Sequence, residues 1–338
     1  MRIFALMKHM TALSVLAALC LTACGSGSAG RASTSSDADS RTTVVAADFD
    51  ADSAYAYVAR QVAFGPRVPG MEGHAACGGW IASELKRHGA DTVTVQRATV
   101  TRHDGTPLQI SNIMGRFNPE APVRVLLAAH WDTRPWADAE ADPALHGRPI
   151  PGANDGGSGV GVLLEVARQM GLKRPEIGVD LLMVDAEDSG VSGEEPDGGS
   201  SWCLGTQYWA EHHPYTPGAM PRYAVVLDMV GGTGARFHRE TVSVQAAPWL
   251  VDKVWAMAAA IGHGATFVNE PGAPLVDDHV FINRAGIPAI DIVESRNDAT
   301  GSFPPTWHTM ADDMPAIDRR PLKAAGQTVT TLIYNEKP

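Results

Sequence analysis

Residues 179–188 read Val179-Asp180-Leu181-Leu182-Met183-Val184-Asp185-Ala186-Glu187-Asp188. An apolar run of strand length breaks abruptly into carboxylates. Strands covered on both faces read as nearly continuous apolar sequence, the pattern of a parallel sheet between helices. Residues 123–129 form a second such run, ending in His130-Trp131-Asp132. Residues 223–230 form a third, with Asp228 closing its core. Between the first and second lies a helical pattern over 158–170. It has Val162, Val166 and Met170 on one face and Val160, Leu163, Leu164 and Ala167 on the flanks. Helices are also predicted over 50–62, 74–88 (closed by Gly89), 248–261 and 320–334. Segments 92–100 and 108–117 alternate like strands, and 288–293 reads as another. Strands alternating with helices predict an α/β fold: a three-layer helix/sheet/helix arrangement with a mixed, mostly parallel central sheet.

Ligands in such sheets bind outside the carboxyl ends of the strands. The polar residues of this chain gather there. His130 and Asp132, two apart in extended backbone, face one side. Asp155 sits in the glycine-rich segment 152–159, where it serves either a ligand or the cap of the helix that follows. Glu187 and Asp188 are neighbours and point apart, so one can hold a metal while the other faces a substrate. Asp228, Asp277-Asp278-His279 and Trp307-His308-Thr309 complete the set. Oxygen and imidazole donors from separate strand ends, with a spare carboxylate to move a proton, are the requirements of a catalytic zinc site. Ser158 and Ser192 lack the final glycine of a Gly-x-Ser-x-Gly elbow, which argues against a serine nucleophile. The acidic pair Glu194-Glu195 and the acidic loop 138–142 read as solvated.

The N-terminus is a different matter. Arg2 and Lys8 precede an apolar stretch at 11–21 that is too short to span a membrane. Leu21-Thr22-Ala23-Cys24-Gly25 resembles a bacterial lipobox. The expected layout is a lipoprotein signal peptide over 1–23, a lipidated Cys24 with a flexible tether over 24–48, and a single catalytic domain over 49–338. Residues 25–46, rich in Ser, Gly, Ala and Thr, fit the tether. The chain would be exported and lipid-anchored to a bacterial membrane, facing the periplasm or the cell surface. A formal net charge of −11 over 338 residues argues against nucleic acid as a partner. Of four cysteines, Cys20 leaves with the signal and Cys24 carries lipid. Cys77 and Cys203 remain, read as buried free thiols although export permits a disulfide.

Taken in order, His130-Trp131-Asp132, the segment 152–160 with Asp155, residues 185–188, Asp228 and His308 resemble the motifs of the zinc aminopeptidase superfamily with co-catalytic metals. Asp277-Asp278-His279, Trp307 directly before His308, Thr133-Arg134-Pro135-Trp136 and Ser201-Trp202-Cys203-Leu204-Gly205 look most like its glutaminyl cyclases, especially the bacterial branch. The resemblance spans about residues 50–335. It implies a zinc-exopeptidase-like fold and one Zn²⁺ per chain on Asp155, Asp188 and His308. It implies Glu187 as general acid/base, Asp278 and Asp228 in the proton network, and Trp307, Trp131 and Trp136 around the substrate pocket. The implied substrates are peptides or proteins with an N-terminal glutamine. Asp188 stands where glutamate is frequent in that superfamily, one methylene shorter. All the polar positions of a two-metal enzyme, His130 and Asp228 included, are present. A two-zinc aminopeptidase and a silent binding domain therefore stay open as alternatives.

Overall fold

The structure is a computed structural model and describes residues 44–192 and 200–338. The expected signal peptide, Cys24, most of the tether and the Glu194-Glu195 pair lie outside the described residues. Eight strands are named in chain order: β1 Thr92–Thr101, β2 Pro107–Phe117, β3 Arg124–His130, β4 Gly178–Val184, β5 Ala224–Asp228, β6 Phe237–Arg239, β7 Phe267–Pro271 and β8 Ala289–Val293. The helices are α1 Ala51–Val62, α2 Glu72–Arg87, α3 Ser158–Leu172, α4 Leu204–Glu211, α5 Thr241–Ala246, α6 Pro248–Ala260, α7 Asp278–Arg284 and α8 Arg319–Asn335.

Six strands pair in the order β1-β2-β4-β3-β5-β8. The hairpin β1-β2 is antiparallel and joins β4 antiparallel. The other four strands run parallel. This is the mixed, mostly parallel sheet expected from the apolar runs. β6 and β7 form a small separate parallel pair.

Alternation along the buried strands fills two cores. Val125, Leu127 and Ala129 of β3, with Val179, Leu181 and Met183 of β4, face the cluster that includes α1, α3, α6 and α8 residues. Leu126 and Ala128, with Leu182 and Val184, face Trp209 of α4 and Ile282 of α7. Period-two side-chain geometry makes both faces of the sheet apolar, so β3 and β4 are buried along their whole length. The helix α3 is buried almost all round, between the sheet and α1, and Gly161 lets α1 approach closely because a Cβ there would meet Val58.

The last five residues of the expected tether pack on the folded body. Residues 44–48 are held against α8: the Ala47 amide donates to Thr331 Oγ1 at 3.0 Å, and Gln327 and Asn335 donate to the carbonyls of Ala47 and Val45. Phe49 is buried and fills the space a side chain at Gly326 would need. Among the described residues no helix is long and apolar enough to cross a membrane. Cys77 and Cys203 are both free and buried, as expected.

Candidate active site

The parallel strands deliver their polar ends to one rim. His130 is the last residue of β3 and Asp228 the last of β5, while 185–188 follows β4 directly. Asp155 precedes α3 but does not cap it; the N-cap position is Gly157 and has no side-chain cap bond. His308 arrives on the loop between β8 and α8.

Two ligand-like triads result. Asp155, Asp188 and His308 bring donor atoms within 4.8 Å of one another, and so do His130, Asp155 and Asp228. Asp155 belongs to both. His308 Nε2 stands 3.1 Å from Asp188 Oδ1 and 3.7 Å from Asp155 Oδ2. His130 Nε2 stands 3.2 Å from Asp155 Oδ1 and 3.1 Å from Asp228 Oδ1. Two carboxylates and an imidazole, buried and converging, fit a zinc ion's preferred donors. Asp188 Oδ2 has no hydrogen-bond partner among the described residues, which leaves it free to ligate. The second triad has the same chemistry, so the donor frame of a two-metal site is intact.

The loops are held from below. Asp312 accepts from the amides of Asn154 and Asp155 at 2.8 and 3.0 Å, which places Asp155. Arg134 is fully buried and lies between the rings of Trp136 and Trp202. It donates to both oxygens of Asp138, to the carbonyls of Asp188 and Gly190, and to Ser192 Oγ. Ala186, Met229 and His308 all adopt positive φ, at 51°, 47° and 54°. For non-glycine residues this conformation is uncommon and costs on the order of 1–3 kcal/mol each. All three sit at or beside a candidate site residue, where strain of this kind concentrates.

A cavity of about 340 Å³ opens above the triads. Asp155, Glu187, Asp188, Asp228, Asp277 and His308 contribute its polar wall. Trp202, Phe303, Trp307, Leu275 and Val276 contribute much of the apolar one. Trp307 is half-buried and stacks between Phe303, at 4.6 Å, and His308, at 3.5 Å between ring centres. Burial pushes the Glu187 carboxyl well above the usual carboxylate range; His130 opposes this, and Asp277, Asp188 and Asp278 add to it. Burial likewise raises Asp228, to about 7, against the pull of His130. A group that holds a proton near neutrality in a cavity is a candidate acid/base.

Three expectations change here. Trp131 does not wall the cavity. It is fully buried on the opposite side of the strand, stacked 4.3 Å from the His74 ring, with Nε1 donating to the Ser111 carbonyl. Its neighbours His130 and Asp132 face the site, so strand alternation turns Trp131 away. Trp136 also stands back from the cavity, packed on Arg134 and Arg102. Asp278 is fully buried behind the cavity and accepts from Thr206 Oγ1 at 2.6 Å. Its neighbour Asp277, to which the sequence assigns no separate role, lines the cavity and brings an oxygen within 4.8 Å of Glu187 and Cys203 ligand atoms.

The model for Peptidase family M28 matches residues 112–333. The crystal structure of Bacteroides thetaiotaomicron glutaminyl cyclase bound to N-acetylhistamine is 50% identical, covers 87% of this chain and 100% of that one, and superposes with a TM-score of 0.83. The aminopeptidase YwaD of Bacillus subtilis (strain 168) is 25% identical over 280 residues; the match takes in 80% of this chain and 54% of that protein, so the chain spans about half its length. The glutaminyl-peptide cyclotransferase of Bos taurus is 25% identical over 288 residues, 75% of this chain and 73% of that protein. The strand-end acids, the shared Asp155 and the matched span together place the chain in peptidase family M28, a family of zinc-dependent enzymes.

Proposed function

We propose that this chain is a zinc-dependent glutaminyl-peptide cyclotransferase, which converts the N-terminal glutamine of peptides or proteins to pyroglutamate and releases ammonia. One observation carries the reading. Glu187, held protonatable by burial, stands beside Asp155, Asp188 and His308 in a cavity lined by Trp202, Phe303 and Trp307. The half-identical bacterial glutaminyl cyclase supports it.

Asp155, Asp188 and His308 would hold one zinc. When bound there it supplies a Lewis acid for the substrate's side-chain carbonyl. The chain's own residues do the rest. The aromatic wall folds the glutamine side chain back on its own α-amine, so that orientation supplies part of the rate. The amine nitrogen bonds to the side-chain carbonyl carbon, and the bond from that carbon to the amide nitrogen breaks. Glu187 takes the proton from the amine and returns one to the departing ammonia. Asp277, facing Glu187, is placed to hold the amine or share that proton. Water is not a reactant, so the reaction needs no metal-bound hydroxide.

The intact second triad favours one rival, a two-zinc aminopeptidase in which Glu187 activates water. A metal-loaded preparation incubated with a Gln-initiated peptide separates the two. Loss of ammonia with the chain otherwise whole is expected; removal of the first residue would establish the peptidase. Retention of one zinc after dialysis is expected, and an absolute requirement for two would count against the cyclase. Glu187→Gln should keep zinc and fold but lose activity by about 10²- to 10⁴-fold.

We also propose export and a lipid anchor at Cys24, supported by the positive start, the short apolar stretch and the small residues before the cysteine. Cys24→Ser should move the protein from the membrane to the soluble fraction with catalysis unchanged. Retention of the variant in the membrane fraction would defeat the anchor.

A further inference from the structure

The first turn of α4 grips the catalytic acid segment. The amides of Cys203, Leu204 and Gly205 donate to the carbonyls of Glu187, Ala186 and Asp185 at 2.9, 3.0 and 3.0 Å. Helix N-termini leave their first amides without intrahelical partners. Here the strand-end backbone supplies the acceptors, and no side chain caps α4. Gly205 permits the approach, because a Cβ there would run into the Asp185 carbonyl. Cys203 itself sits in the left-handed region, at φ 54°, which turns its side chain back toward Glu187. Its Sγ lies 3.3 Å from Glu187 Oε1. Both side chains are buried, and Cys203, Glu187 and Asp277 form one tight cluster.

We infer that Cys203 is a positioning residue: its thiol donates to Glu187 Oε1, holds that carboxyl in one rotamer, and leaves Oε2 to exchange protons with the substrate. This rests on the cyclase reading of the site. A thiol suits the task because it is a weak donor. A strong or charged donor would favour the carboxylate and weaken Glu187 as a proton carrier. The thiol also stays protonated. Burial drives its ionisation far above the ordinary range, and Glu187, Asp278 and Asp277 push it further. On the same turn Thr206 Oγ1 donates to Asp278, so α4 carries donors to two acids of the network.

The test compares Cys203→Ala and Cys203→Ser with the parent for zinc content, melting temperature and cyclisation of a Gln-initiated peptide. Cys203→Ala should lower kcat by about ten-fold, with KM within about two-fold and zinc retained, because a mobile carboxyl loses orientation and not substrate contact. Cys203→Ser, whose hydroxyl still orients the carboxyl but donates more strongly, should recover part of kcat and not all of it. An unchanged kcat in the alanine variant would overturn the inference. So would equal losses in both variants that track the fall in melting temperature, since that pattern marks packing alone. An infrared arm is independent of turnover. The S–H stretch of Cys203, identified by its loss in Cys203→Ser, should lie below that of Cys77 and move up in Glu187→Ala. A band indifferent to Glu187→Ala would refute the contact even if the parent cyclises. A parent that fails to cyclise while the band responds would refute the cyclase reading and leave the contact established.

Discussion

The carboxylate of Asp132 straddles the backbone of Glu187: Oδ1 accepts the Glu187 amide at 3.0 Å while Oδ2 accepts that of Asp188 at 3.2 Å. One fully buried side chain at the end of one strand thus positions the proton carrier and a proposed metal ligand after the next. Groups that orient ligands in this way are worth about 10- to 100-fold in metal affinity. Asp132→Asn keeps the shape but turns an amino group on one of the two amides. We expect zinc affinity to fall by about that factor and kcat to fall with it. Chelator competition and kinetics at saturating zinc measure the two separately. Parent-like values for both would show that Asp132 is only a buried partner.

The two adjacent acids at the start of α7 should differ sharply. Asp277 is the N-cap, extended at φ −148°; its side chain accepts the Asp278 amide and also lines the cavity wall. Asp278 is inside the helix and points to Thr206. Asp277→Asn should cost about 10²-fold or more in kcat, the lower end for a group handling protons. Asp278→Asn keeps an acceptor for Thr206 and should cost less, mostly in stability. Steady-state kinetics and melting temperature on both variants decide it. The reverse order would return the role to Asp278.

This pair also marks where the sequence stops being legible. Strand ends were readable because β3, β4 and β5 are buried on both faces and so appear as apolar runs. His130, Asp228 and the 185–188 acids could be found from that alone. Choosing between Asp277 and Asp278 needs the residue at which α7 begins, and a seven-residue helix is too short to show a period. The helices α4 and α5 and the pair β6-β7 were missed for the same reason. Left-handed turns at Ala186, Met229 and His308 have no local signal, since none is Gly or Asn. Trp131 was misplaced although the signal was there: a residue between two site-facing neighbours on a strand faces away. Arg134 stands in a motif but shows no sign of its supporting role, because nothing local says that a charged side chain will be buried under two loops.

Acid should weaken the fold through His88. Its Nε2 lies 2.8 Å from the Tyr57 hydroxyl, close to Arg87. Burial, with help from Arg87 and against Glu84, lowers its pKa to about 4. The unfolded chain binds that proton near the ordinary value of about 6.5. A depressed folded value means the contribution is complete above about pH 6.5 and is lost as pH falls toward about 4. His88→Gln keeps polar contacts but does not titrate. The gap in unfolding midpoint between parent and variant should therefore narrow from about pH 7 to about pH 4. A gap that holds constant or widens would show that His88 is not the group responsible.

Trp307 offers the clearest separation of a binding role from a packing role. Its ring is only half-buried, lines the cavity and lies flat against the proposed ligand His308. Phe303 covers its other face. Removing the ring takes contact area from a folded glutamine side chain and removes the surface that presses it into place. Trp307→Ala should keep zinc, raise KM and lower kcat, together by about 10- to 100-fold in kcat/KM. The melting temperature should move little, because no deep cavity is created in the sheet core. A core role would give the opposite pattern: a large melting shift with ordinary kinetics at low temperature. Trp307→Phe supplies the control, since a smaller ring in the same stack should recover part of KM before it recovers kcat. Loss of zinc in Trp307→Ala would instead mean that the stack holds His308 itself, and would move Trp307 from the pocket wall to support of the ligand.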